Sequence, residues 1–538
     1  MKLLRQLHHL QEIHGYLTED MLRNLAVQEN VPLYRLQGLV SFYPHFRMTP
    51  PPRLEVAVCR DMSCWLAGAS HHFRRLEDEA KSISSCEVRE VSCLGRCDRA
   101  PAAAINGLAV ALNRDSHVRN WLEWTPTFQK PTPDQPPRWQ CDPYETSAGR
   151  YGLLRELLGQ NRNQAAESAV SSLKESGLRG MGGAGFPTGT KWELVRRESR
   201  FPKYVICNAD ESEPGTFKDR VILAELPHLV IEGMILAGLV TGAAKGILFI
   251  RHEYEPERQK FNDEVQRVRK LGLLGKDIQG CGFDFDLDIF VSPGGYILGE
   301  ETALLEALED KRGEPRNKPP FPGTHGLFGQ PTLINNVETL AFVPGILRRG
   351  PAWWNAQGKE GFSGLKFIAL SGHVARPGVY EIPVGTTVRE LIALGGGMKD
   401  GKPLKAFAPG GASSNFLPPS MVDVPLDFSA VAKAGSMLGS GAVLAAAEGT
   451  DMLALATNIV RFFRNESCGK CVPCRTGSQK AVEILERVQS GQAERKELNV
   501  LPDLGETMTL TSICGLGQVA LNPILSVMKY WREEIFNG

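Results

Sequence analysis

Four cysteines fix the character of the last hundred residues: Cys468-x-x-Cys471-x-x-Cys474, then Cys514 after a long gap. Two-residue spacers set three thiolates around one corner of a compact inorganic cube, and the distant fourth reaches the far iron, as in a [4Fe–4S] cluster. Paired Cys-x-x-Cys knuckles are the commoner zinc pattern, so a third cysteine in register argues for iron and sulfur, with zinc as the competing reading. A second quartet, Cys59-x4-Cys64 and Cys93-x3-Cys97, follows two strand-like runs, 53–58 and 86–91. Short-spaced pairs on separate loops suit two sulfide-bridged irons, one pair per iron; zinc or chance pairing is the alternative. A chain with both quartets reads as an electron carrier.

Composition agrees. Twelve cysteines in 538 residues are too sparse for a disulfide scaffold. The four outside the quartets, Cys86, Cys141, Cys207 and Cys281, are expected as buried free thiols. Sixty-one basic and sixty-one acidic residues balance, which gives no pointer to nucleic acid or a membrane surface. Residues 1–30 are amphipathic and charged, unlike a signal peptide, and no apolar run has the length of a membrane span. The longest, Leu229 to Val240, is interrupted by Glu232 and Gly233 and suits a buried helix. A cytoplasmic protein without membrane insertion is expected.

The expected class is α/β and multidomain. Residues 1–52 read as short helices, with Leu3, Leu4, Leu7 and Leu10 on one face and a helix start at Thr18-Glu19-Asp20. Pro50-Pro51-Pro52 leads into a strand–helix–strand domain, 53–125, and a proline-rich linker follows, 126–150. From 151 to 360 helical and apolar strand patterns alternate, which argues a parallel sheet. A small mixed domain is expected over 361–438, and helices over 439–538.

Gly180, Gly182 and Gly185 formally match a dinucleotide fingerprint, but residues 169–176 before them read as helix, not strand, so the Rossmann assignment fails. The physical content survives: Gly180, Gly182 and Gly183 let backbone N–H groups converge on an anion, and Lys191 adds positive charge. After the strand 203–207 come Asn208, Asp210, Glu211 and Glu213, carboxylates at a strand's C-terminal end, suited to sugar hydroxyls and hostile to a 2′-phosphate. Tyr296, Gly299, Glu300 and Glu301 form another strand-end turn with paired acids, and Asn335-Asn336 supplies amides. Taken singly, the glycine run, the acidic loop and the Asn pair also read as ordinary turns.

Together these segments closely resemble the flavin-bearing, NADH-oxidising subunit of respiratory complex I and its soluble relatives, over residues 150–538. The resemblance implies FMN held by Gly180, Gly182, Gly183, Lys191, Asn208, Asp210, Glu211, Tyr296, Gly299, Glu300, Asn335 and Asn336. It implies NAD contacts from Phe186, Glu213, Glu301, Lys318 and Phe321, a β-grasp (ubiquitin-like) insertion, and a C-terminal helical bundle whose [4Fe–4S] cluster hangs on Cys468, Cys471, Cys474 and Cys514. Residues 1–125 resemble a different subunit of that machinery, a helical bundle plus a thioredoxin-like [2Fe–2S] domain with Cys59, Cys64, Cys93 and Cys97; Phe42-Tyr43-Pro44-His45-Phe46 shares that match. The fusion resembles the β (diaphorase) subunit of a soluble molybdenum- or tungsten-dependent NAD-linked formate dehydrogenase. That implies a catalytic α subunit with metal–pterin and iron–sulfur clusters, and leaves room for a small [2Fe–2S] γ subunit. The diaphorase of an NAD-linked nickel–iron hydrogenase is the nearest competitor; a zinc-binding scaffold is the alternative of a different class. Electron-bifurcating hydrogenase subunits usually add a cysteine-rich C-terminal domain, and no further cysteine follows Cys514, so that reading is discounted.

Three positions depart from the family's habit: Met181 where arginine is common, Leu298 where many carry cysteine, and Leu194 where some place an aromatic. The expected chemistry needs no side-chain nucleophile or acid–base pair, and no catalytic residue is assigned. NAD(H) exchanges a hydride, clusters take electrons singly, and a flavin adapts one to the other. None of the 11 histidines lies in a compelling motif.

Overall fold

The computed structural model describes residues 1–123 and 139–537, so much of the expected linker 126–150 lies outside the described residues. Three helices open the chain, Leu3–His14, Glu19–Gln28 and Leu33–Phe42. The Thr18 hydroxyl accepts the Met21 amide at 3.2 Å, which caps the second where the sequence places its start. Leu4, Leu7, Leu22 and Leu36 bury their apolar faces.

The first sheet contains β1 (Leu54–Cys59), β2 (Cys86–Val91), β3 (Ala102–Ile105) and β4 (Leu108–Ala111), in the order β2-β1-β3-β4. β1 runs parallel to β2 and antiparallel to β3. A parallel pair needs a crossover, and helix Ala69–Ala80 supplies it. Both cysteine pairs sit where β1 and β2 end, so the strands deliver the quartet to one edge of the sheet.

The central sheet is fully parallel, with β5 (Tyr204–Ala209), β6 (Lys245–Arg251), β7 (Asp286–Ser292) and β8 (Thr332–Asn336) in the order β7-β6-β5-β8. Succession runs outward from β5 through β6 to β7, then returns to place β8 on the other side of β5. The carboxyl ends of β5 and β8 therefore flank a topological switch point, the crevice where open α/β sheets bind ligands. Helix Pro227–Thr241 covers this sheet and is buried from His228 to Thr241, as expected for the 229–240 run. No single described helix is long and apolar enough to cross a membrane.

The third sheet contains β9 (Leu365–Gly372), β10 (Gly378–Pro383), β11 (Leu404–Ala408) and β12 (Ala442–Ala447), in the order β10-β9-β12-β11. β12 lies beyond the boundary expected at 438, in a stretch read as helical. Its alanine-rich run favours helix locally, but burial of all six residues between β9 and β11 decides for strand.

The C-terminal helices Met452–Asn465, Val472–Gln489, Leu501–Thr511 and Asn522–Tyr530 surround the second cysteine set. One apolar cluster runs from Leu4 and Leu36 through Phe249 and Leu304 to Leu485 and Ile524, so the two ends of the chain share a core across one face of the central sheet. Two of the expected buried thiols are corrected: Cys281 is exposed and Cys86 half-buried, whereas Cys141 and Cys207 are buried.

Candidate redox site and cluster pockets

The glycine loop runs directly into helix Thr188–Arg197, so its amides and the helix N-terminus face the same crevice. The Gly180 amide donates to the Phe186 carbonyl at 2.8 Å and closes the loop. A methyl group on Gly182 would stand 3.1 Å from the Asn336 Cβ, so the loop lies flush against the end of β8. Met181 is buried, and its amide donates to the Thr339 hydroxyl at 2.8 Å. Lys191 extends from the helix to the Ile334 carbonyl at 2.8 Å and lies 3.6 Å from Glu301.

The switch point holds a dense polar set. Asn208 donates to the Gly299 carbonyl at 2.8 Å, joining the two strand-end turns. Asn335 accepts from the Trp192 indole at 2.9 Å; Asn336 caps the following helix and donates to Asp219 at 2.6 Å. Asp210 accepts from Ser292 at 2.7 Å, and burial pushes its carboxyl up to about 6. Both Glu211 oxygens are engaged by the protein, with the Asp219 and Arg220 amides and the Tyr254 hydroxyl as donors; burial and the nearby Asp219 raise it to about 7. Glu213 reaches the third domain and accepts the Ser413 amide at 2.8 Å, with its carboxyl raised to about 7 by burial. Tyr296 lies 3.3 Å from the Ser413 hydroxyl, so the β-grasp loop at 411–413 closes one side of the crevice.

Glu300 caps helix Glu301–Leu308, and Lys318 bridges Glu300 and Glu301 at 2.8 and 2.9 Å. Burial alone would raise Glu301, but Lys191 and Lys318 hold it below its ordinary value. Phe186 and Phe321 are 45 % and 58 % exposed, each on a loop adjoining helix Thr188–Arg197, and Leu194 on that helix is exposed too. These apolar faces suit a planar ring, and the glycine amides with Lys191 suit a phosphate. The residues present thus fit a flavin nucleotide.

All four cysteines of the first quartet are buried. Cys93 and Cys97 sulfurs lie 3.6 Å apart, and Cys59 shares hydrogen bonds with Cys64 and Cys93, so the thiols form one linked set. Those neighbours, with Arg251, hold Cys93 well below the usual thiol range. The domain is clamped to the central one: Arg96 meets Glu257 at 2.8 and 3.3 Å, Arg220 meets Asp98 at 2.8 Å, and Arg251 donates to the Cys93 carbonyl at 2.6 Å.

In the second quartet, Cys471 and Cys514 occupy N-cap positions of helices Val472–Gln489 and Gly515–Val519, and Cys474 lies in the first turn. Burial raises Cys474 to about 11 and Cys514 to about 12, while the Leu516 and Gly517 amides favour the Cys514 thiolate. Two helix N-termini thus offer N–H groups to the sulfurs of an anionic cluster. A methyl group on Gly517 would stand 2.9 Å from the Cys474 Cβ, so the cradle needs glycine there.

Sequence patterns decide the family. Residues 173–345 match the Nuo51 FMN-binding domain, 454–537 the NADH-ubiquinone oxidoreductase-F iron-sulfur binding region, 1–124 the thioredoxin-like [2Fe-2S] ferredoxin, and 367–414 the SLBB domain. The F subunit of NADH-quinone oxidoreductase from Streptomyces coelicolor is 42 % identical over 401 residues, 74 % of this chain and 88 % of the relative. The chain belongs to that family. As a member of this NADH-binding F-subunit family it is an FMN protein with a [2Fe–2S] and a [4Fe–4S] domain. Subunit HndC of an NADP-reducing hydrogenase from Solidesulfovibrio fructosivorans is 41 % identical over 73 % of this chain and 79 % of its own. The crystal structure of an NAD+-reducing [NiFe]-hydrogenase in the H2-reduced state contains a chain with TM-score 0.85 and 33 % identity, covering 98 % of this chain and 91 % of that one. The F-subunit relative from Streptomyces coelicolor thus matches about three quarters of this chain, whereas the hydrogenase chain covers 98 % of it.

Several residues of this site carry no sequence signal. Ser413, Arg251 and Glu257 lie in no motif, because each acts on a partner far away in the chain. Lys218, Glu338 and Lys366 form a buried relay, with Glu338 2.9 Å from Lys218 and 2.6 Å from Lys366, that ties the central sheet to β9.

Proposed function

We propose that this chain is the diaphorase module of a larger oxidoreductase, exchanging hydride with NAD(H) and single electrons with a catalytic partner. The observation that carries the reading is the switch-point crevice, a phosphate-suited glycine loop facing stacked strand-end acids, with both cysteine quartets fastened around it. Bound FMN supplies the conversion between hydride and single-electron transfer. The chain's own task is to seat it: Gly180, Gly182, Gly183 and Lys191 at the phosphate, and Asn208, Asp210, Glu211, Tyr296, Gly299, Glu300, Asn335 and Asn336 around the remainder. Phe186, Glu213, Glu301, Lys318 and Phe321 orient the nicotinamide nucleotide and exclude water from it. No side chain serves as nucleophile or general acid.

For the partner, the fused domain plan supports two readings equally. One is a molybdenum- or tungsten-pterin formate dehydrogenase subunit, the sequence expectation. The other is a nickel–iron hydrogenase subunit, in keeping with the likeness to the NAD+-reducing hydrogenase chain, which covers 98 % of this chain. Low-temperature EPR of anaerobically purified protein reduced with NADH tests the module: two distinct cluster signals are expected. Colourless protein that contains zinc and lacks iron would refute it. Cys471→Ala should abolish partner-linked turnover while NADH-driven reduction of a flavin-direct dye persists. Elemental analysis of the co-purified complex separates the partners, molybdenum or tungsten for formate against nickel for hydrogen.

A further inference from the structure

Where the redox-bearing segments approach one another, one side chain touches all of them. Glu466 ends helix Met452–Asn465, two residues before Cys468. Its Oε1 accepts the Ser92 hydroxyl at 2.5 Å, and Ser92 immediately precedes Cys93 of the other quartet. Its Oε2 accepts the Tyr296 amide at 2.8 Å, in the strand-end turn that also contains Gly299 and Glu300. A single carboxylate therefore fastens the [4Fe–4S] loop to the [2Fe–2S] loop and to the crevice turn. The same helix holds a second [2Fe–2S] segment: Asn458, about two turns earlier, accepts the Met62 amide and donates to the Arg60 carbonyl, each at 2.9 Å. Asn458 is neutral and touches only one redox element, whereas Glu466 carries charge and touches three.

Both donors to Glu466 are neutral, a hydroxyl and a backbone amide, and among the described residues the carboxylate has no ion pair. A negative charge beside a cluster opposes addition of an electron and lowers its reduction potential, the more so where surroundings are partly dry. Being joined to both cluster loops, this charge acts on both clusters together.

We propose that Glu466 is a positioning residue that registers the two cluster loops against the flavin crevice and lowers both cluster potentials through its charge. The proposal rests on the electron-transfer reading given above, and its test is independent of NADH. Glu466→Gln keeps the shape: the amide oxygen still accepts from Tyr296 and the amide nitrogen donates to Ser92, while the charge is gone. Full-length protein, purified anaerobically, is titrated with redox mediators and followed by EPR, with iron and flavin measured chemically. Expected is wild-type iron and flavin content with both cluster potentials shifted upward. Unmoved potentials at full loading, or a shift in one cluster alone, would overturn the proposal.

Hydrogen–deuterium exchange on Glu466→Ala reads the bridging directly. Residues 92–97 and 294–299 should lose protection together, and faster exchange near 466 alone would overturn the bridge. Should Glu466→Gln fail to load iron, Ser92→Ala removes one bond and no charge; the 92–97 loop should loosen while 294–299 stays protected. Loosening of neither loop would count against the bridge. Wild-type protein in which NADH reduces neither the flavin nor any cluster, although mediators titrate both clusters, would sink the proposed function and leave this inference standing.

Discussion

The clamp between the [2Fe–2S] domain and the central domain offers a perturbation whose size follows from its geometry. Arg96 and Glu257 form a two-pronged pair at 2.8 and 3.3 Å, with side chains 10 % and 7 % exposed. Glu257→Leu removes the partner and strands a buried guanidinium, a change that costs about 3–5 kcal/mol when nothing compensates. Compensation exists but is partial: the Arg96 guanidinium lies 5.7 Å from the Tyr254 ring centroid, a cation–π contact of order 1 kcal/mol. A loss of about 3 kcal/mol in local opening free energy is the working figure, and since about 1.4 kcal/mol is tenfold, amide exchange across 93–99 should quicken by roughly two orders of magnitude. The double variant Arg96→Met with Glu257→Leu replaces the pair by apolar groups of similar volume, and most of the protection should return. Exchange measured by mass spectrometry on all four members of the cycle supplies the coupling. If Glu257→Leu leaves exchange at 93–99 within a factor of three of wild type, the clamp does not hold the domain and the argument fails.

Gly517→Ala would drive a methyl group to 2.9 Å from the Cys474 Cβ and closer still to Ser512. The expected result is loss of the four-iron EPR signal with the two-iron signal retained, at an overpacking cost of about 1–3 kcal/mol. Glu213→Gln preserves acceptance of the Ser413 amide but removes a carboxyl from the proposed nucleotide site. Discrimination for NADH over NADPH in kcat/KM should fall about tenfold, the weight of about 1.4 kcal/mol; unchanged selectivity would remove Glu213 from that site. Glu232 is buried between the Tyr144 hydroxyl and the Leu154 amide, and burial raises its carboxyl from 4.5 to about 7. A raised acid binds more protons folded than unfolded, so its contribution is complete below the unfolded value and is lost as pH climbs through 4.5 to 7. Glu232→Gln should therefore flatten the fall in thermal stability across that window, by up to about 3 kcal/mol; an unchanged slope would place the titration elsewhere.

What could be read from the sequence divides by the range of the interaction. The cysteine quartets and the glycine loop were legible because ligand spacing and backbone freedom are local properties. The parallel sheet was legible from alternating helical and apolar runs, and the switch point from acids placed just after a strand. β12 was not, because Ala442 to Ala447 carries a local preference for helix that only its place between two strands overrides. The exposure of Cys281 was likewise beyond a composition argument, since a free thiol's burial depends on which loop carries it. The contacts of Glu466, Arg96 and Arg251 join positions more than a hundred residues apart, and no periodicity encodes such pairs.

The core shared by the two ends of the chain has a consequence for how this protein behaves on dilution. In an assembly of separate chains, the [2Fe–2S] domain would leave the flavin domain whenever concentration dropped below the dissociation constant. Here the peptide chain makes that contact intramolecular, so occupancy depends on an effective concentration set by the tether and not on the amount of protein in the tube. Each flavin domain keeps its cluster-bearing domains in fixed ratio, however few copies a cell contains.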